Sequence, residues 1–361
     1  MRRRPLLAAA TGALGGALIA CTQLPVADPS PVAAPLPMPA GPLRRIAFGS
    51  CIDQDKPQPI WNAILAQRPD LFLFGGDNVY ASTPPWSRER LERAYARLAA
   101  DPGFAQLRAT VPHLATWDDH DYGLNDGGSE FAGQQASKDA FLAFWGAPAD
   151  DPRRNHPGVY QAVRIGPPGQ RVQVILLDGR SFRSPLRRTD RPMAPGRERY
   201  LPDPDPAKTL LGATQWAWLE AQLRQPAELR LLVSGIQVLA EGHGWECWGN
   251  LPLERQRLLD LLERTGARNT VLLSGDRHIG AFYRQPRADG TAWIEVTSSG
   301  MTHAWAQASE AGPNRIGDLV RQNHFASIDI DWSQRRLQAA LRGESGAVLH
   351  GIEIPWAAGP A

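Results

Sequence analysis

The nine residues ATWDDHDYG, 115–123, run an apolar segment into four ionisable side chains, Asp118, Asp119, His120 and Asp121. Adjacent carboxylates repel each other and resist desolvation. The run is therefore either a solvated loop or the lining of a site that holds positive charge. Other polar groups stand at comparable places. AFGSC ends at Cys51, LFLFGGDNVY at Asp77 with Tyr80 three residues on, LLVSGIQ near Gln237, and VLLSGDRH at Asp276 and His278. In parallel α/β sheets ligands bind at the C-terminal edge of the strands. Carboxylate, imidazole, thiolate and phenolate groups converging on one such edge call for a cluster of cations. A pair of metal ions about 3.5–4 Å apart would use one bridging carboxylate, hold phosphate oxygens and turn a water into hydroxide. GDNVY lets one short loop supply a bridging Asp77 and a terminal Tyr80. GDRH puts Asp276 and His278 in one tight turn, and the glycine before each Asp permits sharp turns and close backbone approach.

Strands must carry these side chains. RRIAFGS (44–50), DLFLFGG (70–76), HLATW (113–117), RVQVILLD (171–178), LRLLVSG (229–235) and NTVLLSGD (269–276) read as strands, and DLFLFGG has the continuous apolar run of a strand buried on both faces. PIWNAILAQ (59–67), SRERLERAYARLAA (87–100), KDAFLAFWG (138–146), TQWAWLEAQLRQ (214–225, Thr214 as N-cap) and PLERQRLLDLLERTG (252–266) read as helices between them. Antiparallel strands are expected from Ala292 onward, among them HFASIDIDW and RRLQAALRG. The stretch 181–213, rich in Arg, Pro and Asp, lacks periodicity and is expected to be a loop bordering a site. The expected architecture is a mixed α/β (α+β) domain over 44–361, with two β-layers between helices.

The chain has 361 residues and 39 basic against 37 acidic side chains, a net charge of +2. That balance gives no sign of a nucleic-acid surface. Arg2, Arg3 and Arg4 precede a 15-residue small and apolar run, Leu6 to Ala20, and LIAC ends at Cys21. Residues 1–21 read as a signal peptide, too short and Gly-rich for a good membrane span. Its end resembles a bacterial lipobox, which implies cleavage before Cys21, lipidation of its thiol and anchoring to a membrane. The paired arginines faintly resemble a twin-arginine export signal. Thr22 after Cys21 favours the outer membrane in a two-membrane cell. Residues 22–43, which hold seven prolines, read as an extended tether.

The set GSC, GDNVY, WDDHDYGLND and SGDRH, in this order, resembles the alkaline phosphatase D (PhoD-like) family, relatives of purple acid phosphatases and calcineurin-like metallophosphoesterases. The resemblance runs from about Arg44 to about His303 and takes in LLDGRSFR and WGNLPLERQRLLDLL. It implies a metallophosphoesterase-like four-layer α/β/β/α sandwich. It also implies that Asp77 bridges two metals, that Cys51, Tyr80 and His278 bind an Fe(III)-type ion, and that Asp119 and Asp276 serve a Ca(II) or other divalent ion with Gln237 or Asn125 close by. His120 becomes the proton donor to the leaving group. GGDN stands where LGDN is commoner, and Gly179 where Thr is frequent. The ligand set is unaffected, but the short 181–213 region leaves substrate preference open.

Other readings compete at single residues. Cys51 as a buried structural thiol, or bonded to Cys247, is the plain alternative to a metal ligand. Asp118 or Asp121 is expected to orient His120, and Asp118 is also a possible ligand. Arg180 and Arg183 after a strand are expected to meet a phosphate or form salt bridges. His243 and Glu246 in EGHGWEC and His303 in SSGMTHAW are expected to line the cleft or pack. The reading as a whole is an exported, lipid-anchored hydrolase of phosphate mono- or diesters. The rivals are a phospholipase D-like phosphodiesterase, a Cys51 nucleophile acting with His120, and a non-catalytic binding lipoprotein.

Overall fold

The computed structural model describes residues 35–310 and 312–356. The expected signal peptide, Cys21 and tether residues 22–34 lie outside the described residues. Along the chain come β1 (Arg45–Gly49), α1 (Ile60–Ala66), β2 (Leu71–Gly75), α2 (Arg88–Ala100), α3 (Pro102–Thr110), β3 (His113–Thr116), α4 (Asp119–Tyr122), α5 (Gln134–Phe144), β4 (Gln161–Ile165), β5 (Val172–Leu176), α6 (Gly212–Leu223), β6 (Leu229–Ser234), α7 (Pro252–Arg264), β7 (Thr270–Ser274), β8 (Gly280–Pro286), β9 (Ala292–Ser298), β10 (Arg315–Val320), β11 (His324–Asp331), β12 (Arg336–Gly343) and β13 (Val348–Ile354).

The strands form two sheets, ordered β13-β12-β11-β1-β2-β3 and β10-β8-β9-β7-β6-β5-β4. β1, β2 and β3 run parallel, as do β5, β6, β7 and β9. Alternation along each strand explains the layering. In LFLFG, Leu71 and Leu73 enter the core between the sheets, with Leu231, Val233 and Leu273 of the second sheet. Phe72 and Phe74 turn the other way, against Trp61, Phe104 and Trp145. Leu232 and Leu272 likewise face Trp216, Leu219, Leu258 and Leu262 of α6 and α7. Both faces of both sheets are covered, which is the expected four-layer α/β/β/α sandwich. Each fully buried Leu or Phe in such layers stabilises by roughly 1.5–3 kcal/mol.

Details depart from the sequence expectation. α6 begins at Gly212, and the hydroxyl that accepts its N–H (2.9 Å) is Thr209, so Thr214 lies inside the helix. α3, opened by Asp101 as N-cap and Pro102, was not expected. β9 pairs antiparallel with β8 but parallel with β7, so the end of the chain is not purely antiparallel. Packing also reaches into the expected tether. Leu43 is buried in the core between the sheets and Met38 packs on it.

Candidate metal centre

The residues that follow β1, β2 and β7 share an unusual backbone. Cys51, Asp77, Asp276 and His278 have φ of 62°, 50°, 68° and 54°. The left-handed region costs a non-glycine residue energy and persists where surroundings over-determine it. Here the surroundings are the two sheets meeting end to end. Ser50 and Ser299 bridge in parallel, and Gly275 donates to Gly235 O at 2.9 Å. A Cβ on Gly76 would lie 2.6 Å from Asp118 Cβ, and one on Gly275 would lie 2.5 Å from Ser50 Oγ. Glycine is what lets the two strand ends come this close.

Three groups of side chains each place their ligand atoms within 4.8 Å of one another: Cys51, Asp77 and His278; Asp77, Asp119 and His120; Asp77, Asp118, Asp119 and Asp276. Asp77 is common to all three. Its Oδ2 is 3.5 Å from Cys51 Sγ and 3.4 Å from the Tyr80 hydroxyl, which is 2.9 Å from His278 Nε2. Burial, then the neighbouring Asp119, holds the Asp77 carboxyl well above its ordinary pKa. Burial does the same to Asp276, with Arg277 opposing and Asp119 adding to it. Burial also takes His278 down to about 3 and His303 to about 4, so both imidazoles are neutral, the form that ligates. Asp119 Oδ1 is buried without a hydrogen-bond partner. An acidic, nitrogen- and sulfur-bearing donor set with an orphaned carboxylate oxygen fits a pair of cations.

Each residue of the acidic run has a separate setting. Asp118 Oδ1 accepts from Arg180 Nε at 2.6 Å and forms an ion pair with Nη2 at 2.5 Å, and Arg180 Nη1 also meets Glu246 at 2.8 Å. Asp119 Oδ2 accepts the Asp126 N–H at 2.7 Å, and Oδ1 faces the cluster. His120 stacks on Tyr80, with ring centroids 4.1 Å apart, and its Nδ1 pairs with Ser82 Oγ at 2.7 Å. Asp121 turns back to accept from Asp118 N at 2.7 Å and Asn78 Nδ2 at 2.5 Å, and burial lifts it to about 7. The expectation that a carboxylate orients His120 through a hydrogen bond is corrected: Ser82 does so.

Several expected residues hold other places. Arg180 is fully buried and spends its donors on Asp118, Glu246 and Gly127 O, so it braces the acidic run and does not reach a substrate. Arg183 joins it on Glu246 at 3.1 Å. Gln237 is buried, its amide engaged by Tyr283, Thr297 and His243, so it and His243 form a polar network of their own. His303 packs its ring edge-on against His278 at 4.3 Å and Tyr80 at 4.9 Å. Cys51 and Cys247 are both free thiols. Burial pushes Cys51 up to about 11, and its partners are Ser299, Ser50 and Asp77, a poor setting for a nucleophile.

A cleft of about 280 Å³ opens on this cluster, lined by Asp119, His120, Asn125, Asp276 and His278 together with Arg199, Trp245, Arg277 and Trp305. Arg199 comes from the aperiodic stretch 181–213 and pairs with Asp126 at 2.6 Å. Arg277 lies over Trp245, 4.7 Å from the ring centroid, and pairs with Glu310. Ser82, Ser299, Asp126, Arg199, Trp245 and Trp305 were not foreseen. The signals were of the stretch and not of the residue: Trp245 sits in EGHGWEC and Ser299 and Trp305 in SSGMTHAW, loops expected to line the cleft, Asp126 closes WDDHDYGLND, and Arg199 lies in the aperiodic stretch.

Comparison with known proteins agrees with this geometry. Alkaline phosphatase D of Bacillus subtilis (strain 168) is 24% identical over 202 residues, which is 51% of this chain and 34% of that protein. The chain thus spans about a third of the length of that curated relative. A solved structure of PhoD superposes with a TM-score of 0.68 at 17% identity, covering 86% of this chain and 67% of the other. A purple acid phosphatase, PPD1, from yellow lupin (Lupinus luteus) seeds gives 0.60 at 14% identity, over 88% and 55%. The family model for PhoD-like phosphatases matches residues 46–339, and the chain belongs to the PhoD-like phosphatase family.

Proposed function

We propose that this chain is an exported, lipid-anchored, metal-dependent phosphoesterase that hydrolyses phosphate mono- or diesters. The observation that carries the reading is Asp77, the one carboxylate common to three convergent ligand groups at the meeting edge of two parallel strand sets. Cys51, Tyr80 and His278 would hold a ferric ion on one side of Asp77, and Asp119 and Asp276 a calcium or other divalent ion on the other. When bound, such a pair lowers the pKa of a water and neutralises charge on the phosphoryl oxygens.

The chain's own residues then position and protonate. His120 lines the cleft with Nδ1 held by Ser82, which leaves Nε2 as the nitrogen that gives a proton to the leaving oxygen. Asp126 fixes Asp119 through its N–H, and the buried Arg180 pairs with Asp118 behind it, opposing the upward push of burial on that carboxyl. Export and anchoring rest on Arg2–Arg4, the apolar run to Ala20, and Cys21.

The test is elemental analysis and visible absorption of the purified protein beside Tyr80→Phe, followed by assays on aryl phosphate mono- and diesters. About two metals per chain, one of them iron, with a phenolate-to-iron band lost in Tyr80→Phe, is the expected result. Protein that stays metal-free after loading with iron and calcium overturns the reading.

A further inference from the structure

The far end of the sandwich carries a second cavity, of about 660 Å³, between the N-terminal ends of β6 and β7 and the residues after β11 and β13. Arg224, Arg230, Arg268 and Arg335 line it, with Trp332 and Trp356. Its one acidic lining residue, Glu228, spends both oxygens on the backbone N–H groups of Gly169 and Arg171. Arg230 is 7% exposed and donates only to neutral oxygens, those of Gln173, Leu223, Gln225 and Ala227. Arg268 and Arg335 are exposed and make no ion pair with any described residue. Glu228 reaches Arg230 only through space and is committed to backbone N–H groups, so an anion from outside would add the counter-charge that this end lacks.

Two further observations say which anion. Trp332 and Trp356 are half-buried and pack edge to face at 5.3 Å, the amphipathic pair expected where protein meets a headgroup layer. The N-terminal segment of the described chain also passes here. The Trp332 indole donates to Leu43 O at 2.7 Å, and a Cβ on Gly166 would lie 3.5 Å from Pro42. Pro42 and Leu43 of the described N-terminal segment therefore lie at this end of the sandwich.

We propose that the cavity docks the domain on a bilayer containing anionic phospholipid, with a headgroup phosphate among Arg230, Arg268 and Arg335. Each arginine near such a surface contributes roughly fivefold in partitioning, so the contact is weak alone. Attachment through the preceding chain would raise the effective concentration and make it persistent. The docked domain presents its metal centre, at the opposite strand ends, to the aqueous side. The inference does not need the phosphoesterase reading, and its test reads a different quantity.

The experiment partitions the full, metal-loaded chain between buffer and two vesicle types, phosphatidylcholine alone and phosphatidylcholine with phosphatidylglycerol. An acyl chain on Cys21 would add equal affinity for both, so the ratio between them is the readout. Tighter binding to the phosphatidylglycerol vesicles is expected, and it should fade as salt rises. Arg268→Gln and Arg335→Gln should each reduce the ratio roughly fivefold, and about 25-fold together, with melting midpoint and metal content unchanged. Equal partitioning onto both vesicles overturns the proposal, as does a ratio that survives in the double variant. Inorganic phosphate that raises the melting midpoint through these arginines, without any vesicle preference, would assign the cavity to a soluble anion and also overturn it.

Discussion

The two ends of the sandwich are built on the same strands and hold opposite charge. At the C-terminal ends of β2, β3 and β7, Asp77, Asp118, Asp119 and Asp276 crowd together in the interior, and Arg180 meets only Asp118 of these. At the N-terminal ends of β6 and β7, Arg230 is buried with no carboxylate partner. The apolar core between them is continuous. A folded domain with balanced total charge can therefore be locally unbalanced at both ends. Each imbalance is where a partner from outside the chain is proposed.

The strongest way to break this contrast is at Asp77. Asp77→Asn is expected to lower kcat/KM by at least about 10³-fold and to reduce metal content in elemental analysis. A variant within tenfold of the parent, with both metals retained, would remove Asp77 from the centre. Next in size is Arg180→Ala, which leaves Asp118 buried without its cation and Glu246 with Arg183 alone. A loss of about 3–5 kcal/mol in urea unfolding is expected. A loss under about 1 kcal/mol would show that water reaches the pair and that this end is not dry.

Acid sensitivity sharpens the comparison from its middle. Burial takes His113 and His324 down to about 4, below the ordinary 6.5, so the fold holds both neutral. Their contribution is present above pH 6.5 and is lost as pH falls from 6.5 to 4, up to about 3 kcal/mol each. His324→Gln should flatten that part of a stability–pH curve. The raised carboxyls of Asp77 and Asp276 act with the opposite sign in chelated protein. Their pKa values lie above the unfolded value near 3.8, so the fold gains stability as pH falls through them. The smallest expected effect follows. Asp276→Asn should raise the melting midpoint of chelated protein by a few degrees, about 1 kcal/mol, and lower that of metal-loaded protein. The same sign in both states would mean that Asp276 does not face metal.

The layers were readable in the chain because strand period and apolar content agree at each element. LFLFG and LRLLVS could hardly pack any other way. Ligand-type residues were readable where they follow a strand directly, as in GDNVY and GDRH. Arg180 follows a strand in the same manner, and only burial separates a brace from a substrate contact. Ser82 and Ser299 carry no local pattern, since their role is to touch a residue far along the chain. Thr209 caps α6 from outside the periodic segment, where helix spacing gives no hint.

The centre is divided between the two sheets. Cys51, Asp77, Tyr80 and Asp119 arise early in the chain, and Asp276 and His278 wait for β7. No half of the chain holds a complete ligand set, so the pocket for metal exists only once both sheets have docked. A chain that crosses a membrane as an unfolded thread would then choose its metals from whatever its destination offers. One that crosses already folded would carry the choice made in the cytoplasm. For a chain exported as proposed, the split of the ligands would make the route of export a determinant of which ions it holds.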